Sequence, residues 1–249
     1  MVAIPDGTFA MGENKNIVPL RGIQWPAENA GKVTAVIGFC MDRTEVTMSA
    51  YAACVASGKC TIRSKAFVAS FDAHNINDAT DCNESGRDSH PVNCVTHEQA
   101  TAYCAAQGLR LPTEEEWEYA ARGTDGRIYP WGNENPKDQL CWNGGKNIND
   151  QDYGNKRHKT TCPVGSYPNS NSPFGLVDMA GNLAEFTASL PVEKDWRPAD
   201  TKLDELRIVR GGHYVATFPP FVSTTNRDTA FLDLGATGNG FRCAGSPLP

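Results

Sequence analysis

Three segments of the chain place apolar residues at helical spacing behind residues that begin helices. Thr47 precedes the segment MSAYAACVA, which has one such face. Thr96 and Gln99 have the spacing of a capping box, in which the two side chains bond each other's backbone N–H groups. Thr113 and Glu116 repeat that spacing before EEEWEYAAR. The pattern predicts three short helices, and each segment is followed closely by a glycine that can end it.

The spacing of residues within these helices indicates which faces are buried. In the second helix, Ala100, Tyr103 and Cys104 lie on one face, so Cys104 is expected to point inward. In the third, Trp117 begins the buried face, and the glutamates 114–116 precede it. Three successive glutamates resemble a catalytic cluster, but at a helix N-terminus they complement the helix dipole. We therefore interpret this segment as scaffold.

The strand patterns are short and the loops between them are long. Strands are predicted in GTFAMG, VTAVIGFCMDRTEVT, RIVRGGHYV and NGFRCAG. Residues 129–172 are rich in Gly, Pro, Asn and Asp, and such loops need ions or disulfides because they bury little apolar surface. No repeat or linker divides the chain. We predict one α+β domain over residues 1–249, with little regular secondary structure and with disulfide bonds.

Composition and charge narrow the possible partners. The chain is 40% hydrophobic and 21% charged, with a formal net charge of −6. Without a basic field, nucleic acid is not expected as a partner. No apolar run approaches the roughly 20 residues that span a bilayer, so membrane insertion is not expected either.

The nine cysteines indicate the compartment. Disulfides are typical of exported domains, so we predict an extracytoplasmic protein, periplasmic or secreted, whose signal segment lies outside the given sequence. Zinc is not expected, because there is no C-x-x-C and no Cys/His cluster at ligand spacing. The histidines show no H-x-x-x-H spacing and are expected to be ordinary surface or hydrogen-bonded residues; they are His74, His90, His97, His158 and His213.

A series of motifs resembles the formylglycine-generating enzyme family, also called the sulfatase-modifying factor family. In order, they are GTFAMG, FCMDRTEVTMSAY, HPVNCVTHEQATAYC, GLRLPTEEEWEYAARG, YPWGN, PVGSYPNSNSPFGLVDMAGNLAEFT, RIVRGGHY and GFRC. The resemblance implies a variant of the C-type lectin fold. Because that fold hosts both oxidases and pure ligand binders, function has to be argued from sites.

The resemblance also implies structural Ca²⁺ in two loops. In DMAGNLAEF, acidic side chains alternate with carbonyl positions around a glycine turn, which supplies the hard oxygen ligands that Ca²⁺ prefers. The alternative is that Asp178 and Glu185 only hydrogen-bond the turn. The ligands implied are Asp178, Gly181, Leu183 and Glu185 at the first site, and Asn143, Gly144 and Asp152 at the second.

Family members with cysteines at the positions of Cys104 and Cys243 join them, so the resemblance implies this disulfide. Cys141 and Cys162 flank the irregular loop, and a bridge between them would fix its ends. Two more bridges are expected with the pairing open, and one cysteine is left over; the residues concerned are Cys54, Cys60, Cys82 and Cys94, with Cys40 as the odd one.

The family's oxidases convert a peptide cysteine to formylglycine with O₂ and a Cu(I) ion held by two thiolates, the soft ligands that Cu(I) prefers. The resemblance would put these thiols near Ala216 and Phe221. No cysteine lies between Cys162 and Cys243, and Cys243 is expected in a disulfide. We therefore expect no copper.

The C-terminal stretch is then expected to bind a ligand. Its aromatic residues lie where the family holds its peptide substrate, although about half of them could be core, as we expect for Tyr214; the predicted contact residues are His213, Tyr214, Phe218, Phe221 and Phe231. We predict a non-catalytic domain that binds a peptide, protein or glycan, as retroelement-diversified variable proteins of this fold do. The alternative is an oxidoreductase of the family, dependent on copper or another metal.

Overall fold

The computed structural model describes residues 1–12, 31–63, 82–84, 86–144, 158, 160–192, 197, 198 and 200–247. The helices are α1 (Met48–Ala56), α2 (His97–Ala106) and α3 (Glu114–Arg122). The strands are β1 (Val2–Ile4), β2 (Gly7–Met11), β3 (Lys32–Val36), β4 (Phe39–Met41), β5 (Ala184–Phe186), β6 (Leu206–Arg210), β7 (Arg227–Phe231), β8 (Asn239–Gly240) and β9 (Ala244–Gly245). Short 3₁₀ helices connect some of them.

The three helices begin where the capping residues predict. The Thr47 hydroxyl accepts a hydrogen bond from the Ala50 N–H at the start of α1. Both predicted capping boxes form. In each, the threonine hydroxyl accepts a hydrogen bond from the backbone N–H of the Gln or Glu three residues later, and that side chain accepts one from the threonine N–H. Trp117 of α3 is fully buried, as its spacing predicts. These local patterns therefore determine the helical part of the fold.

The strands form three small sheets, with the orders β1-β4-β9, β2-β3 and β7-β6-β5-β8. In the four-stranded sheet, β5 lies between β6, which is antiparallel to it, and β8, which is parallel to it. The predicted strand segments are present, with VTAVIGFCM divided into β3 and β4. The sequence analysis missed β1, β5 and β7.

Two disulfides join loop segments to helices, at Cys54 in α1 and Cys104 in α2, and two join loop segments to each other. The bond implied by the resemblance, Cys104–Cys243, is present, and so is the bridge considered between Cys141 and Cys162. The pairing left open is resolved as Cys54–Cys60 and Cys82–Cys94. The remaining cysteine, Cys40, has a free thiol and is buried in β4.

Two apolar clusters form most of the core. One surrounds the Cys104–Cys243 bond between α1, α2 and the four-stranded sheet. The other packs α3 against β2, β3 and β4. The mixed helices and sheets, the sparse regular structure and the disulfides confirm the predicted fold class. Among the described residues, no helix has the length and apolar character needed to cross a membrane.

Candidate functional site

The segment 178–185 runs through the middle of the protein in an unusual backbone conformation. Asp178, Gly181 and Asn182 all have positive φ, a region that few residues other than glycine adopt. A Cβ on Gly181 would overlap the backbone oxygen of Cys141. A glycine is therefore required here both for its φ and for the close approach of the two loops.

Glu185 is the most strongly bonded carboxylate in this segment. It lies on β5 rather than in a loop, and it is fully buried. Its oxygens accept hydrogen bonds of 2.7 Å from Nε and Nη2 of Arg242 and from Nε1 of Trp117. A cation internal to the protein, the Arg242 guanidinium, therefore already neutralises this carboxylate.

A second buried acid, Glu45, faces the same segment. Its oxygens accept hydrogen bonds from the Asn182 side-chain amide at 2.6 Å and from the Leu183 N–H at 2.9 Å. Burial raises the pKa of Glu45 well above its usual range, and the charges of Asp178 and Glu185 raise it further. Glu45 was not predicted from the sequence, because its partners lie 137 and 138 positions away along the chain.

Asp178 completes a pocket of negative charge. Its Oδ2 accepts a 2.6 Å hydrogen bond from the Gly165 N–H, and burial raises the pKa of its carboxyl group. We call Glu45, Asp178 and Glu185 with Arg242 the acid pocket. It holds three acids and one guanidinium, and their mutual charges also raise the pKa of Arg242 against the lowering effect of its burial.

The residues predicted for a second calcium site are only partly described. Gly144 has a φ of 58°, and its N–H donates to the carbonyl oxygen of Ala216 at 3.2 Å. This bond joins the neighbourhood of Asn143 to the C-terminal stretch. Asp152 lies outside the described residues, so this site stays a prediction.

The aromatic residues of the C-terminal stretch divide into a surface pair and others. Phe218 directly precedes a 3₁₀ helix, Pro219–Val222, and Phe221 lies within it; their half-buried rings form a T-shaped contact with centroids 6.1 Å apart. A Cβ on Gly212 would overlap the Phe221 carbonyl, so the glycine turn supports this pair directly. We call Phe218 and Phe221 the aromatic pair.

The other predicted contact residues occupy different positions. His213 is half-buried, with Gly238 packed against its ring. Tyr214 is only 2% exposed, which agrees with the expectation that it is a core residue, so it supports the surface from beneath. Phe231 is half-buried at the end of β7, opposite Leu206 of β6, rather than on the 3₁₀ helix that carries the aromatic pair.

The thiol chemistry of this region is settled by the disulfides. Cys243 is bonded to Cys104, and the position near which the resemblance puts the first copper thiol, Ala216, is a buried alanine. Four disulfides use eight of the nine cysteines, and the ninth, Cys40, is buried in a strand between β1 and β9. The residues present do not fit a two-thiolate copper site in the C-terminal stretch.

One group of Cys and His side chains comes together only in the folded protein. No Cys/His cluster at ligand spacing is visible along the sequence, but the ligand atoms of Cys141, His158 and Cys162 lie within 4.8 Å of one another, with the two cysteines bonded to each other. The loop that Cys141 and Cys162 close brings His158 back to them. Spacing along the sequence could not show this, because 21 residues separate the two cysteines.

A comparison with protein families decides the relationship. The model described as "Sulfatase-modifying factor enzyme 1-like domain" matches residues 1–247. The chain belongs to this family. The formylglycine-generating enzyme of Thermomonospora curvata is 32% identical to it, with all of this chain and 94% of that protein covered. This agrees with the order of motifs along the sequence.

The chain is also similar to a relative that is named inactive and to several solved structures. The "Inactive C-alpha-formylglycine-generating enzyme 2" of Bos taurus is 37% identical over 62% of this chain and 50% of that protein. The match thus spans about half the length of the mammalian relatives. Among solved structures, PvdO of Pseudomonas aeruginosa (TM-score 0.67, 23% identity) covers 98% of this chain and 93% of its own. Treponema denticola variable protein 1 (TM-score 0.63, 19% identity) covers 99% and 95%.

Proposed function

We propose that this member of the sulfatase-modifying factor family is not an oxidase and binds a peptide, protein or glycan ligand through its C-terminal surface. The observation that carries the proposal is the state of the cysteines. Cu(I) in the family's oxidases needs two thiolates, and this chain has only one thiol outside its disulfides, Cys40, which is buried. A relative with 37% identity is itself named inactive.

The binding part of the proposal rests on the aromatic pair. Phe218 and Phe221 are half-buried, one directly before and one within a short helix that begins with two prolines, so little conformational entropy is lost when a ligand covers them. Large aromatic side chains dominate the energetics of many interfaces. Val222, next to the pair, is fully buried and anchors the helix in the apolar cluster that Phe221 also contacts. The structural similarity to Treponema denticola variable protein 1 supports the fold that carries this surface.

Structural calcium is part of the same proposal. The acid pocket holds three buried carboxyl groups against one guanidinium, and burial raises the pKa of Glu45 and Asp178, so a divalent cation would stabilise their ionised forms. Asp178 and the loop carbonyls are hard oxygen donors that fit Ca²⁺, whereas Glu185 is already paired with Arg242. We therefore propose a Ca²⁺ site centred on Asp178, with the carbonyl oxygens of Gly181 and Leu183 as further ligands and without Glu185.

We also propose an extracytoplasmic location, periplasmic or secreted. Four disulfides are typical of domains that fold in an oxidising compartment. The Cys104–Cys243 bond closes a separation of 139 residues, so much of the fold depends on such a compartment.

Two assays test the proposal. Protein incubated with Cu(I), O₂ and a cysteine-containing sulfatase peptide should produce no aldehyde above a no-protein control, and protein-dependent aldehyde would refute the non-catalytic assignment. A peptide-display library and a glycan array should each be screened with the wild type and with Phe218→Ala/Phe221→Ala. Binding should be lost in the double variant and kept in Ile37→Ala, which removes an apolar side chain that is 85% exposed elsewhere. Equal binding by both variants would refute the proposal that the ligand binds through the aromatic pair.

A further inference from the structure

The disulfide Cys141–Cys162 has an imidazole beside it. Both cysteines are buried, and Nδ1 of His158 lies 3.4 Å from Sγ of Cys162. The two sulfur atoms and the imidazole nitrogen all lie within 4.8 Å of one another. In the part of the chain that the structure describes, this is the only group of three His, Cys, Asp or Glu side chains that meets this distance.

Tyr167 holds this imidazole in one orientation. Its hydroxyl lies 2.8 Å from Nε2 of His158. If Nε2–H donates to the Tyr167 oxygen, the lone pair of Nδ1 faces Cys162. Metal-binding histidines usually have such a partner on the second nitrogen, since it fixes both the tautomer and the ring. The His158 N–H also donates to the carbonyl oxygen of Trp142, beside Cys141.

We propose that Cys141, His158 and Cys162 form a redox-gated site for a thiophilic divalent d¹⁰ cation, Zn²⁺. In the oxidised protein the two sulfurs are bonded to each other. A dithiol reductant attacks the bond through a mixed disulfide and leaves as a cyclic disulfide, so two electrons and two protons pass to the cysteines. Zn²⁺ then binds both thiolates and Nδ1, and the two thiol protons are released to solvent.

The geometry suits this ligand set. Two thiolates and one imidazole with an open fourth position are a common tetrahedral zinc arrangement. Zn–S bonds of about 2.3 Å place the sulfurs about 3.8 Å apart, which rotation of the two side chains can reach from Cα atoms 6.0 Å apart. The two cysteines also pack with Leu183 and Tyr214 in one apolar cluster. Metal binding would therefore change the packing of the loop below the C-terminal surface.

Reduction with limiting dithiol, followed by alkylation and peptide mass spectrometry, identifies which disulfide opens. We expect Cys141 and Cys162 to be labelled while near-UV circular dichroism still reports a folded protein. After anaerobic removal of the reductant, Co²⁺ serves as a spectroscopic probe and Zn²⁺ is measured by competition with a chromophoric chelator. One Co²⁺ per chain should bind with a thiolate-to-cobalt charge-transfer band.

Three variants make the test specific. The band should disappear in Cys141→Ser/Cys162→Ser and persist in Cys54→Ser/Cys60→Ser, which removes a different disulfide. Tyr167→Phe keeps all three ligands and should weaken the affinity about 10–100-fold, as loss of a supporting hydrogen bond does at other metal sites. The proposal is overturned if the Cys141→Ser/Cys162→Ser variant keeps the band, if the reduced wild type binds neither ion, or if the bond opens only when the chain unfolds. An unchanged affinity in Tyr167→Phe removes the positioning role of Tyr167.

Discussion

Removing the Cys104–Cys243 disulfide should cost this protein more stability than removing any local one. The bond joins α2 to the end of the C-terminal stretch across 139 residues, whereas Cys54–Cys60 spans only 6. In the chain-entropy model, the loss of free energy of unfolding is about 5 kcal/mol for the first bond and about 2 kcal/mol for the second. The difference between them, about 3 kcal/mol, depends only on loop length.

The two bonds form a matched pair for this experiment. Each has one cysteine in a helix, at Cys104 in α2 and at Cys54 in α1, and all four cysteines lie in the same apolar cluster. Alanine replacements therefore remove similar packing from both sites. For a chain of this size, about 3 kcal/mol corresponds to a difference of roughly 6–12 °C in Tm between the two double variants.

Urea unfolding of both double-alanine variants and of the wild type measures the effect directly. We expect the midpoint of Cys104→Ala/Cys243→Ala to lie well below that of Cys54→Ala/Cys60→Ala, with a larger m-value because the freed unfolded chain exposes more surface. Equal losses in the two variants would refute the reasoning, since they would show that local packing rather than loop closure sets the contribution of each bond.

Two further predictions concern the acid pocket. Arg242→Met should lower the free energy of unfolding by about 3–5 kcal/mol, because it leaves buried carboxylates without their cation. In the control Arg127→Met, the partner Asp125 is exposed, so the loss should be about 1 kcal/mol or less. Similar losses in the two variants would contradict this prediction. Because burial raises the pKa of Glu45 and Asp178, their contribution to stability is complete below about pH 4 and is lost as pH rises through the folded pKa. The Tm of calcium-depleted protein should therefore fall as pH rises above about 4, and Ca²⁺ should restore more of it at the higher pH. A Tm that is insensitive to calcium across this pH series would exclude the ion.

The parts of the fold that the sequence predicted are those with local causes. A capping box needs residues only three apart, so Thr96 and Thr113 identify the starts of α2 and α3 without any tertiary information. The strand β5 has three residues and exists because β6 and β8 pair with it. Its sequence, AEF, has no alternation long enough to predict a strand, so Glu185 was assigned to a loop.

The functional residues that sequence reasoning missed depend on contacts between distant segments. Glu45 reaches Asn182 and Leu183 across more than a hundred positions, and nothing near it in the chain indicates that partnership. The same limit applies to His158, which joins Cys141 and Cys162 only after the loop closes. By contrast, the absence of a thiol pair in the C-terminal stretch could be read directly, since it depends on residue identity alone.

Asn182 connects the three regions on which the functional proposals rest. Its side-chain oxygen accepts from the Cys162 N–H and its amide donates to Glu45, while its backbone N–H donates to Cys141 and its carbonyl accepts from Tyr214. Asparagine is one of the few residues other than glycine that readily adopt its left-handed backbone, with a φ of 58°. One residue thus bonds the disulfide, the acid pocket and the support of the C-terminal surface. A change that moves the backbone of Cys141 or Cys162, or that breaks the bond to Glu45, therefore acts on the same residue that holds Tyr214, which links both sites to the loop beneath the C-terminal surface.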